Sequence, residues 1–215
     1  MTIQHHPSDE LLLAYSAGTL DQGQHVAIAT HLMTCAACRD WVRDLERIGG
    51  SVLSDLPPSA MTGDALSRIE ARLDEPPAEP PREVDRGTGC DMPQLPPFVR
   101  RLPAADWTWL APGMQLRRLT LSQPGDTRVF LLRSKPGIKI RPHDHTGFEM
   151  TCVLTGSFSH DGGRYGPGDF DFGDASMSHD IAIGPGDDCV TLVAMQGELK
   201  LKGLLGRLAQ PFISL

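Results

Sequence analysis

The sequence predicts two domains of different class: a small all-α domain over residues 1–75 and an all-β domain over residues 98–215, with a proline-rich linker over residues 76–97 between them. Three observations predict this. Apolar residues recur at helical spacing up to Leu73. The stretch from 74 to 97, DEPPAEPPREVDRGTGCDMPQLPP, is rich in proline and poor in apolar residues, as an extended linker is. Beyond it the period changes to short β-branched and apolar runs separated by turn signals, the pattern of a sandwich or barrel.

In the first domain Ser8 can cap a helix that carries Leu11, Leu12 and Tyr15, with Asp9 and Glu10 in its first turn and Gly18 at its end. A second helix is expected from about Asp21 to Cys35. A third carries Trp41, Leu45 and Ile48 and is expected to stop at Gly49-Gly50. The fourth, GDALSRIEARL, puts Leu66, Ile69 and Leu73 on one face. A module this small has little room to bury that face, so these three residues are candidates for contact with a partner protein.

In the second domain the strand runs are MQLRRLTLS, TRVFLLRS, GIKIRP, EMTCVLTGSFSH, FDFG, HDIAIG and CVTLVAMQG, with QPGD, KPG, GPGD and GPGDD as turns. His160, in SFSHDGG, is expected in a hairpin turn, exposed to solvent.

Composition narrows the function classes. No apolar run reaches the roughly 18–20 residues a membrane helix needs, and MTIQHHPSDE lacks the basic flank and apolar core of a signal peptide. A cytoplasmic setting is expected, where the five cysteines favour metal ligation or free thiols over disulfides. Residues 1–75 hold 11 acids and 5 bases. That domain should repel nucleic acid and suit a basic protein partner.

Residues 31–38, HLMTCAAC, set a histidine and two cysteines at metal-ligand spacing, His31-x3-Cys35-x2-Cys38. On one straight helix Cys38 would lie about 10.5 Å along the axis from His31, too far for one ion whose bonds are about 2.0–2.3 Å. A break between helices at Cys35–Cys38 is therefore expected. A fourth ligand must come from elsewhere. His25 points away from His31 on the same helix and is disfavoured, and Cys90 lies beyond the linker; His5 and His6 precede the first helix, which a helical hairpin could bring back, with His6 favoured beside the rigid Pro7.

A second constellation is GIKIRPHDHTGFEMTCVLTG, parsed as Gly137-x5-His143-x-His145-x3-Glu149-x6-Gly156. Two histidines at i, i+2 face one way on a strand. Strict alternation sets them with Lys139 and Arg141, opposite Ile138 and Ile140, so a phase reset by a bulge or break at Pro142 is expected. The run resembles the first cupin motif at every position. That resemblance implies a double-stranded β-helix barrel with a metal held by His143, His145 and Glu149, completed by a later histidine, here His179 in ASMSHDIAI. The second cupin motif usually places Pro-x-Gly shortly before that histidine; Gly166-Pro167-Gly168-Asp169 is present here, but SMS directly precedes His179.

The first constellation resembles the zinc-containing anti-sigma factors, which implies Zn2+ on His6, His31, Cys35 and Cys38 and helices that wrap an extracytoplasmic-function sigma factor. Both motifs together, in this order, resemble the ChrR family of anti-sigma factors. The resemblance implies a regulator and not an enzyme, with no direct nucleic-acid or membrane contact. It implies a sigma factor held by the N-terminal domain and released, through the cupin, in response to singlet oxygen. Three histidines and a carboxylate suit Zn2+ in the cupin, with Mn2+, Fe2+ or Ni2+ also compatible. A reading from another class is a cupin metalloenzyme, a dioxygenase or isomerase, with the helices as a docking module.

Overall fold

A computed structural model describes residues 2–75, 89–90, 92–123, 125–160, 163–174 and 179–201, with the backbone alone at 141–145, 179 and 199–201. Most of the expected linker, 76–88, lies outside the described residues.

Helix α1 (Asp9–Ser16) starts where Ser8 Oγ accepts the Leu11 amide. Helix α2 (Gln22–Leu32) starts on a capping box: Asp21 accepts the Gln24 amide, and the Gln24 side chain accepts the Asp21 amide. It ends at Leu32, and Cys35 becomes the N-cap of α3 (Ala36–Asp55). The expected break is therefore present. The expected stop at Gly49-Gly50 is not, because α3 runs through both glycines. Each costs the helix about 1 kcal/mol, but neither takes up a left-handed conformation, and the chain turns extended only at Leu56, ahead of Pro57-Pro58. Helix α4 (Ala65–Leu73) follows and buries none of its residues.

After the short helix α5 (Pro97–Arg100) the chain is all β. One sheet holds β1 (Thr108–Ala111), β2 (Met114–Leu119), β3 (Arg128–Ser134), β10 (Cys189–Met195), β5 (Glu149–Thr155) and β8 (Phe170–Gly173), in that order. The other holds β11 (Leu199–Leu201), β4 (Lys139–His145), β9 (His179–Ile183), β6 (Phe158–His160) and β7 (Gly163–Tyr165). Among the described residues every strand pairing is antiparallel.

Strand β10 is buried along its whole length, which is why CVTLVAM reads as a continuous apolar run instead of an alternating one. Thr191 and Val193 line the barrel cavity, as do Thr151 of β5 and Leu132 of β3. The intervening residues Val190, Leu192, Ala194, Met150, Cys152, Leu154, Val129 and Leu131 join a single core with Leu12, Val26, Ile28 and Leu32 of the helices. Helix α2 lies across β10 and β5. At its start Gly23 allows close approach, since a Cβ there would fall 2.5 Å from Thr127 Cγ2. Burying side chains such as Val26, Ile28 and Leu192 stabilises this contact by roughly 1.5–3 kcal/mol each. The helical and β parts thus share a hydrophobic core. Cys90 and Leu95, within the expected linker, are buried in the same core, so the described end of that segment is packed and not extended.

Candidate metal centre

His6, His31, Cys35 and Cys38 come together, with their ligand atoms all within 4.8 Å of one another. His6 Nδ1 lies 3.4 Å from Cys35 Sγ and 3.3 Å from Cys38 Sγ, and His31 Nε2 lies 3.2 Å from Cys38 Sγ. A tetrahedral ion with bonds of about 2.0–2.3 Å holds its ligand atoms roughly 3.3–3.8 Å apart, so the donor set fits zinc in number, chemistry and spacing. His5, the other candidate, stacks on Tyr165 with ring centroids 4.0 Å apart. His25 stacks on Tyr15 at 4.5 Å.

The local fold explains the electrostatics. Cys35 is the N-cap of α3 and accepts the Cys38 amide, and Cys38 sits in the first turn. The positive end of the helix favours a thiolate there. Burial, and then the neighbouring Cys35, push the Cys38 thiol up to about 12. A bound divalent cation reverses that balance and takes the thiolate. Burial also holds His31 down to about 4, against the pull of the Gly168 carbonyl, so its imidazole is neutral at pH 7, the form that ligates metal.

Two ligands are held by the barrel. His31 Nδ1 donates to the carbonyl of Gly168 at 2.8 Å, which leaves Nε2 toward Cys38. The segment carrying His6 is strapped to the same turn. The amides of Gln4 and His5 donate to Asp169 Oδ1 at 2.7 and 3.0 Å, and the Phe170 amide donates to the His5 carbonyl at 3.1 Å. Neither Gly168 nor Asp169 is a candidate site residue in the sequence, where Gly166-Pro167-Gly168-Asp169 reads as a turn and as the element of the second cupin motif ahead of His179.

In the barrel, the register of β4 against β9 shifts between the pairs Ile140–Ile181 and His143–His179. Three residues of β4 span two of β9, so a bulge at Pro142 supplies the expected phase reset. His143 and His179 are direct antiparallel partners. The side chains of His143, His145 and His179 lie outside the described residues. Glu149 opens β5 and lines an interior cavity of about 40 Å³ with Ile140, Thr151, Asp171 and Ile181; Thr151 Oγ1 donates to its carboxylate at 3.1 Å. His160 departs from expectation. It lies on β6 with its side chain 3% exposed, 3.1 Å from Asp171 Oδ2 and stacked on Tyr165. The carboxylate that covers it comes from β8, which local sequence cannot reveal.

Leu66, Ile69 and Leu73 of α4 are 66%, 56% and 76% exposed. Val52, Leu53 and Leu56, at the end of α3, are 59%, 69% and 58% exposed. Among the described residues no helix is long and apolar enough to cross a membrane.

Residues 97–199 match the family described as ChrR Cupin-like domain. Over 212 residues, 99% of each chain, the sequence is 34% identical to the anti-sigma-E factor ChrR of Cereibacter sphaeroides. The fold is similar to the crystal structure of Rhodobacter sphaeroides SigE in complex with the anti-sigma ChrR, with a TM-score of 0.73 and 32% identity, covering 91% of this chain and 100% of that one.

Proposed function

The chain belongs to the ChrR family of anti-sigma factors, and from that premise we propose that it sequesters an extracytoplasmic-function sigma factor in the cytoplasm and releases it when the cell meets singlet oxygen. The observation that carries the reading is the uncovered apolar surface of α3 and α4. Val52, Leu53, Leu56, Leu66, Ile69 and Leu73 are all more than half exposed, a contiguous stretch of sequence of the kind that marks a protein-binding site. It sits in the acidic N-terminal region, residues 1–75, which favours a basic transcription factor over nucleic acid.

In this reading Zn2+ on His6, His31, Cys35 and Cys38 fixes the junction of α2 and α3 and aims α3 at the partner. The zinc supplies folding energy and charge neutralisation, and no chemistry on a substrate. The barrel site, with His143, His145, Glu149 and His179 as its proposed ligands, takes zinc as first choice and Mn2+, Fe2+ or Ni2+ as alternatives. It governs release and not the basal grip. For a signal at the barrel to free the sigma factor, it must favour the unbound arrangement of the helices. The shared core of α2 with β10 and β5 supports such coupling.

The test is co-purification with a cognate sigma factor, followed by transcription in vitro with and without this chain. Inhibition that scales with complex formation is the expected result. A chain that neither binds nor inhibits any sigma factor encoded beside it would end the proposal.

A further inference from the structure

We infer that the barrel turn Gly166–Asp169 is part of the zinc site, with Gly168 and Asp169 as positioning residues that hold two of its four ligands. The inference rests on the reading that zinc occupies the cluster, and it gives that site a built-in dependence on the barrel. Hydrogen bonds from His31, Gln4 and His5 converge on this turn.

The Gly168 carbonyl takes the Nδ1 proton of His31, a contact across 137 residues of sequence. A hydrogen bond to one ring nitrogen fixes which nitrogen meets the metal. Asp169 holds the approach of His6: its Oδ1 accepts the amides of Gln4 and His5, and its Oδ2 accepts the amide of Gly166. One carboxylate therefore closes its own turn and fastens the N-terminal segment on top of it. Asp169 is 6% exposed, so these bonds are sheltered from water and cannot be cheaply replaced by it. Gly168 has φ of +91°, and a Cβ there would fall 2.8 Å from both Ile3 and Thr34. Ile3 belongs to the segment that delivers His6 and Thr34 to the turn that delivers Cys35. The barrel backbone thus touches both halves of the zinc cluster at a point where only glycine fits.

The turn is also tied to the barrel strand that carries Glu149. Gly168 N donates to Val153 O at 2.8 Å, and Val153 N donates to Asp169 O at 3.1 Å. A displacement of β5 is thereby passed to the turn, and from the turn to His31 and to the segment carrying His6. By linkage the effect runs both ways: loss of zinc loosens the segment from the barrel, and loss of the turn weakens zinc.

The test uses the full-length, zinc-loaded chain and measures the rate of zinc transfer to the chelator 4-(2-pyridylazo)resorcinol. The phase that belongs to this cluster is the one missing in Cys38→Ser. Asp169→Ala is expected to release that zinc at least ten times faster. Asp169→Asn keeps one acceptor oxygen for Gln4 and His5 and should recover part of the difference. Thr108→Val, which removes a hydrogen bond from Thr108 Oγ1 to Leu116 O on the edge strand β1, should leave the rate unchanged. Release from Asp169→Ala at the wild-type rate, or equal acceleration by Thr108→Val, overturns the inference. If Asp169→Ala does not fold, hydrogen exchange of the wild-type chain decides. The amides of Gln4, His5 and Phe170 should exchange at least tenfold faster once zinc is chelated, and unchanged protection overturns the proposal. A wild-type chain with no metal that Cys38→Ser removes would instead fail the underlying zinc reading.

Discussion

His6 Nδ1 lies 3.3 Å from Cys38 Sγ although 32 residues separate them in sequence. The contact closes the N-terminal segment onto the first turn of α3. Replacing the thiolate with a hydroxyl leaves a far poorer zinc ligand. Cys38→Ser and Cys35→Ser are each expected to lower bound zinc by one ion per chain and to weaken sigma-factor binding at least tenfold. Metal analysis and a binding titration on the same preparations check both. Unchanged zinc in the two variants would remove metal from the account of this site.

The partner surface makes a prediction that spares the fold. Leu66 and Ile69 are exposed in the chain alone, so Leu66→Asp and Ile69→Asp should leave thermal unfolding within a degree or two of wild type. In the complex each would bury an unpaired carboxylate, a cost of several kcal/mol. Binding of the sigma factor is expected to fall by two orders of magnitude or more. Wild-type affinity in the double variant would move the interface elsewhere.

The helical cluster is legible because ligand chemistry demands residue types at short spacing. His31, Cys35 and Cys38 declare themselves locally, and so does the break between helices that their geometry requires. The phase conflict at Pro142 foretold the bulge. The sequence concealed what long-range packing decides. A proline-rich segment suggested separable modules, yet Val26 and Ile28 lie in one core with Leu192 and Met150. The continuous burial of α2, all of it from Val26 to Leu32, was written in VAIATHL, which has no polar face to turn to solvent. Gly49-Gly50 misled because glycine permits a helix end without enforcing one. His160 misled because its partner, Asp171, lies on another strand.

The shared core bears on the isolated N-terminal fragment. Residues 1–75 keep all four cluster residues and the apolar surface of α3 and α4, and they are expected to bind the sigma factor alone. The fragment exposes the α2 face that β10 and β5 cover and gives up Gly168 and Asp169. Its thermal midpoint should be well below that of the full chain, with faster loss of zinc to a chelator. A fragment that fails to inhibit transcription while the full chain succeeds would show that the barrel is part of the grip.

The barrel thiols give a pH dependence. Burial pushes Cys152 and Cys189 up to about 12 from an unfolded value of 9.0. Between these values the folded chain keeps protons that the unfolded chain has released, so stability falls as pH rises through that window. The slope is roughly 1.4 kcal/mol per pH unit for each thiol. Below pH 9 neither thiol contributes a pH dependence. Denaturant titrations from pH 8 to 11 should show this alkaline limb, and Cys152→Ala with Cys189→Ala should flatten it. At pH 8 both thiols should resist iodoacetamide in the folded chain.

The last prediction concerns the barrel metal. Backbone pairing sets His143 opposite His179, and Glu149 opens β5 with its side chain at the cavity. The apolar surface proposed for the sigma factor lies instead on α3 and α4. A metal at the proposed barrel site is therefore expected to influence the helices through β5 and its turn and not by contact with the partner. Replacing His143 and Glu149 with alanine should empty the barrel site and leave the zinc of the helical cluster in place. Sigma factor should then stay bound in unstressed cells and remain bound under singlet oxygen. Measuring sigma-dependent transcription with and without a photosensitiser separates the outcomes. Release without stress would make the barrel metal part of the grip, because its loss alone would then shift the helices to the unbound arrangement. A normal response to stress would exclude that metal as the sensor and send the search to the helical cluster, whose exposed His6 side gives an oxidant a path toward the thiols of Cys35 and Cys38.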